Sequence, residues 1–406
     1  DLGLFRFMLE VRGNCSKLKS LVSTVINTNI VQCVGYIVLF WFVHSFIHSE
    51  YKFFLLLNVI LNVFTSTFLQ MARGFGDNIG YTCASLISVI LNISVNIFTI
   101  VILRMGEWGL FIGTIIAQIV TLIFLIIKEK IWRYYKFLYW KKCEFFDVFQ
   151  YSLPLIPAQL SWWIVGTSDR IIISRFINLA ANGTYSIANK FSTIISTFYN
   201  IFNLAWSESI AIHFNDEDKD DFLSETIESI LMIFLAICID LVAILPIVFP
   251  LMIHSDYNDA YFQIPILIAS VFFQVVTGLY SVIYLAIMKT KESAKTAILA
   301  AGINIFVDLL LINKIGLYAA SISTLIAYMS MAIYRHIDVK KYARIRLNIK
   351  KVLISIFVGA SIILIYYLNI KYLNIIGFII ASIYTILINK SILITVMEKI
   401  KIYVKK

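Results

Sequence analysis

Asp169, Arg170, Lys190, Asp240 and Asp308 each stand inside a long apolar run of this sequence, and Asn304 lies one helical turn before Asp308. A charge at the centre of a bilayer costs about 2.5–3.5 kcal/mol on insertion scales, so each must face a partner or a wet cavity. A guanidinium or ammonium there is suited to binding an anion. A carboxylate there is suited to carrying a proton or Na⁺. Asp169 and Arg170 are adjacent and point about 100° apart on a helix, so they cannot simply neutralise each other. Counted from span ends expected near 177 and 183, Asp169 and Lys190 lie at similar depths, about 12 and 10 Å. An Asp169–Lys190 pair is therefore predicted, leaving Arg170 free for an anion. The same constraint is met by a packing network between helices or by contacts to a substrate, and both readings stay open for Asp169, Arg170 and Lys190. Asp308, Asn304 and Asp240 are candidates for ion coupling, or equally for lumen-facing residues tolerated by water.

Enzyme chemistry finds little foothold. No nucleophile–base arrangement is evident, and the five histidines (His44, His48, His213, His254, His336) show no HExxH spacing. The five cysteines (Cys15, Cys33, Cys83, Cys143, Cys238) are odd in number and form no CxxC, so neither a metal site nor a disulfide framework is expected. No catalytic residue is assigned, and no cofactor is expected beyond a coupling H⁺ or Na⁺.

The elements that must position these groups are membrane helices. Hydrophobic residues make up 60% of the 406-residue chain and charged residues 14%, well away from the balance of a soluble domain. The excess falls in runs of about 20 residues, enough to cross a hydrocarbon core of ~30 Å as helix. An all-α polytopic membrane protein follows, with every backbone amide satisfied inside its own helix. Twelve spans are expected: 22–46, 53–72, 79–103, 108–127, 153–177, 183–207, 225–249, 260–287, 294–313, 316–334, 351–369 and 372–394.

Orientation follows from basic residues. With a cytoplasmic N-terminus, the outer loops hold only Lys52, Arg104, Arg175, Lys314 and Lys371, while the other basic residues outside the spans fall inside the cell. The C-terminal EKIKIYVKK is then cytoplasmic too. The net charge of +10 reads as attraction to anionic inner-leaflet lipid, not to nucleic acid. The segment KEKIWRYYKFLYWKK, 128–142, interleaves basic and aromatic residues directly after a span and predicts an interfacial amphipathic helix. RHIDVKKYARIRLNIKK, 335–351, ends a second block of helices, and NDEDKDD, 215–221, reads as a solvated turn.

Two echoes organise the chain. IHSEY at 47–51 returns as IHSDY at 253–257, and Asn96-Ile97-Phe98 returns as Asn304-Ile305-Phe306. The offsets, 206 and 208 residues, nearly agree, and both echoes keep the same place relative to their spans. An internal duplication is indicated. Its period holds six helices, so the copies run parallel about an axis along the membrane normal, a common transporter plan. The second copy starts near 153, which places the start of the first two helices before Asp1. The intact architecture is expected to hold two six-helix lobes plus a terminal pair. The present chain divides as 1–142, four helices of the first lobe with a linker, 143–345, the second lobe, and 346–406, the pair and its tail.

The hairpin YSLPLIPAQLSWWIVGTSDRIIISRFINLAANGTYSIANKFSTIISTFYNIFNLAWSESI, 151–210, carries the charged residues. Pro154 and Pro157 sit at its first helix start, where a missing N–H costs least. PLIP, SDRIIISRF, GTYSIANKFSTI and FNLAW resemble the central hairpin of bacterial polysaccharide flippases. These are the Wzx-type oligosaccharide-lipid transporters of the multidrug/oligosaccharidyl-lipid/polysaccharide exporter superfamily. NIFVDLLLINKIGLYAASISTLIAY resembles that family's eleventh and twelfth helices, with Asn313 where the family usually has Pro, and GLFRFMLE at 3–10 resembles the segment after its second helix. The resemblance implies fourteen helices around a cationic central cavity, of which twelve are present here. It implies an undecaprenyl-diphosphate-linked oligosaccharide as cargo, moved across the bacterial cytoplasmic membrane for capsule, O-antigen or teichoic-type polymers. Arg170 and Lys190 are the positions it assigns to the diphosphate. Pathway glycosyltransferases and a polymerase are the protein partners it suggests.

Two other functions share parts of this pattern. A cation-coupled exporter of drugs from the same superfamily would have the same two-lobe plan, but the SDR-containing hairpin and the terminal pair argue against it. A polysaccharide polymerase would need a large catalytic outer loop, and the longest outer connection here is about ten residues, within the range of ordinary loops.

Overall fold

The computed structural model describes residues 2–398 apart from 47, 138, 215, 393, 396 and 397. Ile47 of the first pentapeptide and the tail beyond Glu398 lie outside the described residues, and with the tail lies the expectation of a cytoplasmic C-terminus.

Every long apolar run becomes a helix. The first unit holds α1 (Leu2–Val11), α2 (Cys15–Val43), α3 (Lys52–Phe75), α4 (Asn78–Ile97), α5 (Glu107–Glu129) and α6 (Lys142–Ser152). The second holds α7 (Leu155–Phe176), α8 (Leu179–His213), α9 (Lys219–Met252), α10 (Asp259–Ala286), α11 (Thr290–Ile315), α12 (Leu317–Val339), α13 (Ile349–Leu368) and α14 (Lys371–Ile388). The compact units are Asp1–Leu153 and Pro154–Lys406. Among the described residues, ten helices are long and apolar enough to cross a membrane. The other two long helices are α7 and α8, the pair that carries Asp169, Arg170 and Lys190. Their length suits a crossing, but their polar residues keep them below that threshold, so the expected count of twelve spans is not established by hydropathy. A multi-pass helical membrane protein is.

Helix ends follow the local sequence. Asn14, Asp77, Asn178 and Asn348 cap α2, α4, α8 and α13 by accepting from Lys17, Gly80, Ala181 and Lys351 backbone N–H groups. Gly76, with φ +92°, closes α3 in the left-handed conformation that glycine alone adopts without cost.

In the first unit, α5 packs on α3 and α4, and Met8, Leu21, Met71, Ala72 and Leu125 fill the core. The segment after α5 departs from expectation. Among the described residues between α5 and α6 only Ile131–Arg133 is helical, as one 3₁₀ turn, and the rest forms turns and irregular chain. The reason is a polar face on α2. Ser23 donates to Tyr134 O at 3.1 Å and accepts from Lys136 N at 3.0 Å. Asn27 donates to Tyr139 O at 2.7 Å, and Thr24 accepts from Lys141 N at 3.2 Å. Side chains of α2 thus replace the internal bonds that an amphipathic helix would have made. The helix α6, given to the second lobe by the sequence reading, packs instead on α1 and α2.

In the second unit, α10 is central and packs on α8, α9 and α12, while α11 packs on α7 and α12. Ala294, Ala297, Ala301 and Ala327 let α11 and its neighbours approach closely. The terminal helices α13 and α14 both lie on α9. Tyr261 and Tyr366 stack with centroids 4.1 Å apart and exchange hydroxyl-to-carbonyl bonds, which pins α13 to α10. The packing order repeats between units: α3 and α4 lie on α5 as α10 and α11 lie on α12. His48–Tyr51 of the first pentapeptide and Ile253–Tyr257 of the second fall in the corresponding connections, α2–α3 and α9–α10.

Candidate functional site

The α7–α8 hairpin and the α11–α12 hairpin bring one buried polar cluster together. Asp169 is 2% exposed. Its Oδ2 accepts from Tyr185 Oη of α8 at 2.6 Å and from Thr324 Oγ1 of α12 at 2.7 Å. Its Oδ1 accepts from Asn304 Nδ2 of α11 at 3.2 Å. Ser168 donates to Asn304 Oδ1 at 2.8 Å, and Asn304 also reaches Ser323 and Thr324. The carboxylate is therefore held by three neutral donors from three helices.

Asp308, one turn along α11 from Asn304, is fully buried. Neither of its carboxylate oxygens has a hydrogen-bond partner among the described residues. A buried, ionised and unpaired carboxylate is costly, which makes Asp308 the candidate position for a proton or a cation. The donor set beside it is two carboxylates, an amide and hydroxyls. That set suits a proton or a hard cation such as Na⁺, and contains no soft ligand for a transition metal. Among the described residues no group of three His, Cys, Asp or Glu converges. Subtracting the repeat offset from Asp308 gives Ile100, within a π-helical turn (Phe98–Ile102), so the first unit has no carboxylate at the matching place.

The predicted Asp169–Lys190 pair does not form. The cause is the start of α8 at Leu179, four residues before the expected end at 183. That shift moves Lys190 about 6 Å deeper and brings Tyr185 level with Asp169. Arg170 and Lys190 are both exposed, and neither makes an ion pair among the described residues. Asp169 thus sits with Asn304 and Asp308 rather than with the two cations. Asp240 belongs to neither group. It faces α14, where Oδ2 accepts from Thr385 at 2.7 Å and Oδ1 is left without a partner.

A cavity of about 160 Å³ opens beside the cluster. Asp169, Tyr185 and Thr324 form its inner wall, and Gly166, Asn189, Thr193 and Ser196 lie along α7 and α8. A volume of that size holds several waters. Tyr185, Thr324, Ser323 and Ser168 were not singled out by sequence reasoning. They lie within the quoted motif segments, but nothing in the sequence distinguished their hydroxyls from the others there.

The sequence model of the family described as "polysaccharide biosynthesis protein" matches residues 6–207, a stretch that ends within α8. A search of curated protein sequences gives no match. Three solved structures have similar folds. An outward-facing multidrug resistance MATE family transporter of the MOP superfamily aligns at TM-score 0.71 and 16% identity, covering 84% of each chain. The Vibrio cholerae MATE transporter VcmN, in a mutant form, gives 0.71 and 12%, again over 84% of each chain. A MOP superfamily transporter from Pyrococcus furiosus gives 0.71 and 15%, covering 84% of this chain and 83% of that one.

Proposed function

We propose that this chain, whose residues 6–207 match the polysaccharide biosynthesis protein family and whose fold is that of MOP-superfamily transporters, flips a polyprenyl-diphosphate-linked oligosaccharide across the bacterial cytoplasmic membrane. The observation that carries this reading is the pair Arg170 and Lys190. Both are exposed on spanning-length helices without a carboxylate partner among the described residues. A diphosphate cannot enter hydrocarbon unaided, and two free cations at membrane depth replace its hydration. The lipid tail stays in the bilayer while the headgroup crosses. The driving ion binds at Asp308 and Asp169, with Asn304 and Thr324 as neighbours, and its release resets the cycle. Alternating exposure of the headgroup site to the two leaflets completes the mechanism. The face rich in Lys and Arg is read as the inner one, and the cargo, as a lipid-linked precursor, is proposed to load from it.

The genetic test is deletion of the gene in its own host. Loss of surface polymer with accumulation of the lipid-linked intermediate supports the proposal. Normal polymer combined with new sensitivity to cationic dyes would favour drug export. Long free polymer failing to appear while the intermediate is still flipped would favour a polymerase.

A further inference from the structure

The polar residues of α8 form more than a lining for one cavity. From Ser186 to Asn203, eight positions fall within an arc of about 140° on an α-helix: 186, 189, 190, 193, 196, 197, 200 and 203. All eight are Ser, Thr, Asn or Lys, and no apolar residue shares the arc. The stripe is about 26 Å long, close to the hydrocarbon thickness. Lys190, Thr193, Thr197 and Asn200 are exposed, while Ile194, Phe198 and Ile201, also exposed, occupy the adjoining arc. One side of the outward face of α8 is therefore suited to lipid and the other to water. On α7, Gln159, Trp163, Gly166 and Arg170 are exposed at i, i+4, i+7 and i+11, a single narrow face. The 160 Å³ cavity joins them, since Gly166 from that face and Asn189, Thr193 and Ser196 from the stripe line it together.

We propose that the remainder of these joined faces of α7 and α8, apart from Arg170 and Lys190, is a binding track for the sugar chain of the cargo, with the two cations left to the diphosphate. The inference rests on the flippase reading above. The chemistry fits a saccharide. Thr193 and Thr197 donate back to helix carbonyls at 2.8 and 2.9 Å, so their lone pairs stay free to accept from sugar hydroxyls. Asn200 offers both donor and acceptor. Trp163, 62% exposed, gives a flat apolar face of the kind sugar C–H groups stack on. The exposed residues of the two faces include no carboxylate, and Asp169, on the inner wall of the joining cavity, is 2% exposed, so the faces themselves suit neutral or acidic glycans. Gly166 has open space where a side chain would project, which leaves the crevice between the two helices clear.

The test has two arms, both in the full-length protein with its native cysteines replaced. Cysteines at Thr193, Thr197 and Asn200 are compared with cysteines at Ile194, Phe198 and Ile201, using a membrane-impermeant sulfonated thiosulfonate reagent. The track predicts labelling at least about ten-fold faster on the polar set, because only those positions meet water. Equal rates would overturn it. In proteoliposomes, the triple variant Thr193→Leu, Thr197→Leu, Asn200→Leu is then given a short-chain polyprenyl diphosphate bearing one N-acetylglucosamine, or the same lipid bearing a tetrasaccharide. The variant is expected to move the single-sugar lipid normally and the tetrasaccharide lipid at least about ten-fold more slowly, from several lost hydrogen bonds. If the variant moves both as the wild type does, the track is wrong and the flippase reading survives. If the wild type moves neither, the flippase reading fails and takes the track with it.

Discussion

The hydroxyl of Tyr185 on α8 donates to Oδ2 of Asp169 on α7 at 2.6 Å, a bond made possible by the early start of α8. It places a neutral donor where a cation was expected, and so frees Lys190 for the exposed face. Removing the hydroxyl leaves the buried carboxylate short of one bond. Tyr185→Phe is expected to destabilise the protein by about 1.5–3 kcal/mol, the range for a hydrogen bond to a charged group. Thermal unfolding in detergent measures it, and an unchanged midpoint would mean the bond is not made.

Asp308 tests the coupling assignment. Asp308→Asn is close in shape but cannot carry a proton or neutralise Na⁺. The variant is expected to fold and to lose any stabilisation of the wild type by Na⁺ or by acid. Asp240→Asn, remote from the cluster, should keep that response. Titrations of the melting temperature with NaCl and with pH separate the two, and a full response in Asp308→Asn would remove it from the site.

Arg335 tests how the second unit is held together. It is fully buried, and its guanidinium donates to Thr296 Oγ1 at 2.7 and 2.9 Å, Thr277 O at 2.8 Å and Ser293 O at 3.1 Å. One side chain of α12 thus ties α10 to α11. Lysine cannot reproduce that fork. Arg335→Lys and Arg335→Ala should both lower the yield of folded protein, with a cost of about 3 kcal/mol or more for alanine. Size-exclusion profiles of the two variants provide the check.

Asp77 provides a pH dependence outside the spans. The Gly80 N–H bond, followed by Lys128, holds its carboxyl below the usual range. A depressed folded value means that its stabilisation is complete above the unfolded value, about 4, and fades as the pH falls through the lower folded value. Asp77→Ala should cost about 1 kcal/mol at neutral pH as a lost N-cap. The difference from wild type should shrink only below about pH 4. A penalty unchanged at pH 3 would contradict the assignment.

Much of this fold was legible in the sequence because hydrocarbon leaves few choices. Apolar runs of spanning length can only be helices here, and the observed ends fall close to those expected for α3, α5 and α10, while the span begun by α4 is completed by the π-helical turn Phe98–Ile102. The IHSEY and IHSDY loops gave the repeat. Errors came where polar side chains compete with the backbone. The segment after α5 was read as a helix because its charge pattern suited one, and Ser23 and Asn27 of α2, over a hundred residues away, decided otherwise. At the site, the charged residues stood out by cost alone. Their partners did not, since Thr324 and Tyr185 are ordinary residues until tertiary packing brings them to Asp169. The start of α8, earlier by one turn, was enough to exchange Lys190 for Tyr185.

The central claim is that two unpaired cations at membrane depth carry a diphosphate headgroup. It is tested most directly by reconstituting wild type and the Arg170→Ala, Lys190→Ala variant, and measuring translocation of a fluorescent polyprenyl-diphosphate oligosaccharide. The account predicts rapid transfer by the wild type and background rates for the variant, with both proteins folded and inserted. Equal transfer by the two would contradict it.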